Sequence, residues 1–161
     1  MQVRILAAAA MLMAGPALAQ APSTEEFVRK AAISDMFEVE SSKLALDKKP
    51  DKDTRPFARH MVKDHTKTAK ELKGLVQKKN INVPLPTAMD DEHKNQLDRL
   101  RALNGKEFDT AYDDAQRKAH QQAVDLFSRY AQGGDNPDLK KWAAKTLPNL
   151  KKHLGMAEKL Y

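Results

Sequence analysis

Three of the five histidines in this 161-residue chain, His65, His120 and His153, and one glutamate, Glu38, stand where amphipathic helices would otherwise put apolar residues. Glu38 lies four residues after Ser34 and three before Ser41, small neighbours that leave room on that face. His65 lies four residues from Met61 on one side and four from Ala69 on the other, and His153 sits between Leu150 and Ala157. His120 falls on the flank of its stripe, beside Ala123, Val124 and Phe127, at about 100° of helix rotation per residue. A glutamate buried alone is costly and needs partners. Three imidazoles and a carboxylate suit one transition-metal ion, zinc, iron, manganese or copper, with Met61 or Met156 as an added soft ligand if copper is native. The same groups could instead form a hydrogen-bonded network, around a water, that only fixes helix register. Asp64 next to His65, Gln116 one turn before His120, and Tyr112 are the candidates to orient the ligands from outside. His60 and His93 fall on polar faces and are expected to be solvated.

Other chemistries find less support. The chain has no cysteine, which removes disulfides, thiolate metal sites, cysteine nucleophiles and covalent haem. A di-iron bundle would need Glu-x-x-His on two helices. Here Glu38, Glu71 and Glu92 are followed three residues on by Ser41, Gly74 and Asn95. Ser34, Ser41 and Ser42 lack the strained turn of an activated serine, and no glycine-rich phosphate loop is present. Non-covalent haem between a histidine and a methionine is a third reading, which a haem spectrum would decide.

The elements that must carry these residues read as helices. Ser23 with Glu26 forms a capping box, and Phe27, Ala31, Ser34, Glu38, Ser41 and Ala45 then recur at spacings of four and three to about Lys48. After Pro50, Asp53 or Thr54 caps a second helix to about Lys79, with Ala58, Met61, His65, Ala69, Leu72 and Val76 on one face. Pro84 and Pro86 forbid continuous helix in the next segment, whose Ile81, Val83 and Leu85 are expected to pack across the bundle end. Asp90 to Leu103 reads as a short helix, and Lys106 to Gln132 as a long one with Phe108, Tyr112, Ala115, Ala119, Ala123, Leu126 and Tyr130 inward. The last helix carries Leu139, Ala143, Thr146, Leu150, His153, Ala157 and Leu160, with a kink expected at Pro148. No stretch alternates with period two. The pattern predicts an all-α, antiparallel four-helix bundle with one extra short helix between the second and third long helices, placed at one end.

Counting away from each turn places Glu38, His65, His120 and His153 within roughly one turn of the same level, at ~1.5 Å per residue. All four side chains can meet in one layer.

The first residues, Met1 to Ala19, combine Arg4, an uncharged Ala/Leu/Met run and Ala17-Leu18-Ala19, the pattern of a cleavable secretory signal. One bundle domain over residues 20–161 and a periplasmic location follow as expectations. That run is too short for a membrane span, which needs about 20 apolar residues. The net charge of +6 comes mainly from scattered lysines. It lacks the arginine stripe with aromatics of a nucleic-acid binder, so no nucleic-acid partner is expected.

The runs Phe27-Val28-Arg29-Lys30-Ala31-Ala32 with Glu38-Val39, and Phe57-Ala58-Arg59-His60-Met61-Val62-Lys63-Asp64-His65, carry a family resemblance. So do Phe108-Asp109 with Tyr112 and His120, and Ala144-Lys145-Thr146-Leu147-Pro148 with His153. Together they resemble the exported ferritin-like bacterial domain family of unknown function often labelled predicted outer membrane protein. The resemblance implies an exported ferritin-like bundle and supplies no reaction. Its outer-membrane label fits poorly with a chain that has neither barrel strands nor a cysteine for a lipid anchor. The two function classes carried forward are a metal-binding bundle and a non-enzymatic envelope or stress protein with a structural polar layer.

Overall fold

The computed structural model describes residues 20–160, and the proposed signal segment lies outside the described residues. The chain forms α1 (Thr24–Asp47), α2 (Thr54–Lys78), α3 (Asp91–Ala102), α4 (Gly105–Gly133) and α5 (Pro137–Ala157), with no strand among the described residues. Helix starts follow local chemistry. The Ser23 hydroxyl accepts from the Glu26 N–H at α1, the Asp90 carboxylate from the His93 N–H at α3, and Asn136 from the Asp138 and Leu139 N–H groups at α5. At α2 neither expected cap is used. Asp51 accepts from the N–H groups of both Asp53 and Thr54, so the acceptor stands two residues earlier than expected. Pro148 does not end α5, which runs unbroken to Ala157.

The four long helices make a ring in which α1 packs on α2 and α4, and α5 packs on α2 and α4. Their directions follow from end-to-end bonds. Thr24 at the start of α1 bonds the Tyr130 hydroxyl near the end of α4. Lys48 at the end of α1 donates to the carbonyls of Arg101 and Leu103, just before α4 begins. Thr54 at the start of α2 bonds Asp113 in the first half of α4. Thus α4 runs against α1 and parallel to α2, and every neighbouring pair in the ring is antiparallel.

That arrangement needs a crossover that returns along the length of the bundle, the ferritin-like connection. Residues 79–104 supply it. Ile81, Val83 and Leu85 pack on the apolar cluster at the α2 end, as expected. Helix α3 differs from expectation, because it lies along α1 and not at one end. His93 packs edge-on against Phe37, and α3 ends beside Lys48.

The core divides in two. One cluster gathers Phe27, Leu72, Phe127, Tyr130, Leu139 and Trp142, and the other Phe37, Phe57, Met61, Leu97, Phe108 and Tyr112. Each large apolar side chain so buried contributes ~1.5–3 kcal/mol. Between the clusters lies a buried polar layer: Asp35, Glu38, Ser41, His65, Gln116, His120 and His153.

Candidate metal centre

The histidine layer is built from one side chain each of α2, α4 and α5, with carboxylates from α1. His65, His120 and His153 are 2%, 0% and 1% exposed. His120 is not on a flank. The inward line of α4 runs through Phe108, Tyr112, Gln116, His120, Ala123, Phe127 and Tyr130, while Ala119 and Leu126 are only half-buried. A stripe through Ala115, Ala119 and Leu126 is rotated by part of a turn from this line, because small alanines tolerate half-buried positions beside it.

Three outward hydrogen bonds set the protonation of the three rings. The Gln116 carbonyl can only accept, so its 2.8 Å bond fixes the proton of His120 on Nδ1 and leaves Nε2 bare. The Nδ1–H of His65 donates to Asp35 Oδ1 at 2.7 Å, turning Nε2 inward. The Nε2–H of His153 donates to Asp64 Oδ2 at 3.0 Å, and its buried Nδ1 has no hydrogen-bond partner. One ligand atom from each of the three rings lies within 4.8 Å of the other two. Such carbonyl and carboxylate contacts on the far nitrogen are how metal-binding histidines are oriented.

Electrostatics keeps two of the rings neutral. Burial, reinforced by the charge of His65, pushes His120 down to about 3 and His153 down to about 4. Burial also opposes charge on His65, but the Asp35 bond and the nearby charges of Glu38, Asp35 and Asp64 outweigh it and raise its pKa. A charged His65 can donate Nε2–H to the bare Nε2 of His120, 3.4 Å away. A cation entering the layer would take the place of that proton.

Glu38 is 1% exposed, and neither of its carboxylate oxygens has a hydrogen-bond partner. Burial pushes its pKa up to about 7, against the pull of the His65 charge. Its Oε1 stands 3.8 Å from Nδ1 of His120, the far nitrogen of that ring. The structure therefore gathers the three histidines and sets Glu38 beside them, outside the group whose ligand atoms converge. Of the expected supporting residues, Asp64 and Gln116 bond the rings of His153 and His120 directly, whereas Tyr112 bonds Ser42 at 2.8 Å. Met61 and Met156 belong to the apolar cluster around Phe57 and Tyr112.

Asp35 is not among the residues expected at the site, and its only signal in the sequence is its spacing of four after Ala31 and three before Glu38. His60 and His93 need correction. Neither is fully solvated: His93 bonds Asp90 at 2.6 Å, and His60 stands 3.2 Å from Asp64 with its ring 5.3 Å from that of His153. His60 precedes Asp64 by one turn on the flank of α2 that meets α5, a contact the periodicity of α2 alone does not contain.

An orphaned imidazole nitrogen, the Nε2 atoms of His65 and His120 3.4 Å apart and a carboxylate without a hydrogen-bond partner are donors of the kind a cation uses, and the molecule is an all-α bundle with a buried histidine triad whose geometry could hold a metal ion. The chain belongs to the DUF4142 family, a domain of unknown function whose family model matches residues 8–160, in keeping with the resemblance read from its motifs. Among solved structures it is similar to CopM in the Cu(II)-bound form, with a TM-score of 0.72 and 19% identity over 88% of this chain and 97% of that one. CopM in the Cu(I)-bound form matches with a TM-score of 0.70 at 19% identity, over 87% and 96% of the two chains. This likeness shows a shared helical fold. No curated protein matches the sequence. None of the described helices is long and apolar enough to cross a membrane.

Proposed function

We propose that this chain is an exported periplasmic protein that binds one transition-metal ion, copper first among the candidates, through His65, His120 and His153. Glu38 is the adjoining carboxylate that balances the ion's charge. The observation that carries the reading is the buried, unpartnered Nδ1 of His153 in a triad whose ligand atoms all lie within 4.8 Å of one another. A nitrogen-rich site suits copper or zinc over magnesium or calcium. The copper-bound forms of CopM, which share the fold, favour copper. The role is binding, either buffering or carriage, and Met1 to Ala19 acts as the export signal.

A second reading has its own observation. The Asp35–His65–His120 chain is hydrogen-bonded without any ion, so the layer could serve only to set helix register. Metal analysis of untagged protein from the periplasm, beside a His65→Ala/His153→Ala variant, separates the two. Near one equivalent of a single metal in the parent and none in the folded variant supports the centre. A parent that takes up neither copper, zinc, iron nor manganese on titration leaves the structural reading.

A further inference from the structure

His153 takes part in two donor groups at once. His65 and His120 lie on its inner side, and His60 and Asp64 on its outer side. A ligand atom from each of His60, Asp64 and His153 again lies within 4.8 Å of the other two. Nε2 of His60 and Nε2 of His153 stand 3.2 and 3.0 Å from the same oxygen, Asp64 Oδ2, which also accepts from the Asn149 amide at 3.1 Å. The inner triad is enclosed, whereas the side chains of His60 and Asp64 are 34% and 19% exposed. The outer group thus stands nearer the surface than the triad, although Nε2 of His60 is itself buried, and His153, 1% exposed, is common to both.

We propose that His60, Asp64 and His153 form an outer, loading site for the same transition-metal ion, and that the two sites are alternative states of the His153 imidazole. This rests on the inner triad being a metal centre. A neutral imidazole has one lone pair. With the ion outside, Nε2 of His153 is the ligand and its proton sits on Nδ1. With the ion inside, Nδ1 is the ligand and Nε2–H returns to Asp64, the arrangement seen at 3.0 Å. The ion exchanges ligands without change of oxidation state, and the proton of His153 moves to whichever nitrogen the ion has left. Occupation is mutually exclusive, so the protein takes up one ion and not two.

The test uses the full mature protein and Cu(II) alone, followed by stopped-flow uptake and by titration. His60→Ala removes an outer donor from a half-exposed position and should leave the fold and the one-equivalent endpoint intact while slowing uptake at least tenfold. His65→Ala/His120→Ala keeps only the outer group. It should hold one equivalent more weakly and release it quickly to a chelator, with circular dichroism checking that the bundle persists. Uptake by His60→Ala at the parent's rate overturns the loading site, and this holds even if the double variant does not fold. A second equivalent bound tightly by the parent overturns mutual exclusion. The failure of the inner reading looks different: the double variant would then match the parent in affinity and release rate. A parent that binds no Cu(II) sinks both.

Discussion

Asp35 Oδ1 lies 2.7 Å from Nδ1 of His65 across the contact of α1 with α2, and this pair decides which nitrogen of His65 faces the centre of the bundle. The aspartate is buried, and its second oxygen has no partner. Burial raises its own pKa, while its bond and charge help raise that of His65. Asp35→Asn keeps the shape and removes the charge that makes the ring a stronger donor. Copper affinity, measured by competition with a chelator, should fall by about 10- to 100-fold. Helix content should be unchanged. An affinity equal to the parent's would mean that Asp35 serves the fold alone.

Glu38 gives a pH signature. Its folded pKa of about 7 lies above the ordinary glutamate value of 4.5, so the buried carboxylate penalises the fold when charged. The penalty is fully present above pH 7, shrinks as pH falls towards 4.5, and is absent below that. Glu38→Gln should therefore stabilise the metal-free protein at pH 8 by up to ~3 kcal/mol, at about 1.4 kcal/mol per pKa unit. The gain should vanish by pH 4.5 in urea melts. With copper present the sign reverses, because the ion loses its neighbouring negative charge. A variant that binds copper like the parent would remove Glu38 from the centre.

How much of this could be read from the sequence depends on which physical signal each feature leaves there. The helices are legible because the apolar stripes that include Phe27, Met61, Phe108 and Leu150 each repeat at spacings of three and four, and the polar layer because Glu38, His65 and His153 interrupt those stripes. The direction of α4 was not legible. Counting to a common level succeeded because His65 lies near the middle of α2, so either end gives a similar height. The crossover along α1 is fixed by tertiary contacts such as Lys48 with residues 101–104, which no local pattern encodes. The places of Asp35 and His60, the latter expected to be solvated, are hidden in the sequence for a related reason. Each lies at the edge of its own stripe and becomes part of the site only through a neighbour on another helix.

A bound ion should stabilise the fold through mass action. With free copper at 100 times the dissociation constant, binding to the folded state alone adds about 2.7 kcal/mol. For a domain of this size that raises the melting temperature by roughly 5–10 °C. The His65→Ala/His153→Ala variant should show no copper-dependent shift, although removing buried side chains lowers its starting point. Equal shifts in parent and variant would place the stabilising ion elsewhere on the surface.

The α4–α5 turn offers a test of packing that leaves the histidine layer alone. A Cβ on Gly134 would meet the Tyr130 carbonyl oxygen at 2.6 Å and the Tyr130 ring at 2.7 Å. That ring cannot easily retreat: it stacks on Phe27 at 3.9 Å with planes 8° apart, and its hydroxyl bonds Thr24 at 2.7 Å. Gly134→Ala should cost about 1–3 kcal/mol, as overpacking does. The matched control is Gly74→Ala on the exposed face of α2, where nothing lies within 4 Å of the new methyl. Alanine there should stabilise by about 0.5–1 kcal/mol through helix propensity. Both should shift the urea midpoint with little change in slope. Tyr130 stands ten residues along α4 from His120, ~15 Å at helical rise. Copper affinity should therefore match the parent's in both variants, and a loss in Gly134→Ala would show that the apolar cluster around Tyr130 sets the geometry of the histidines.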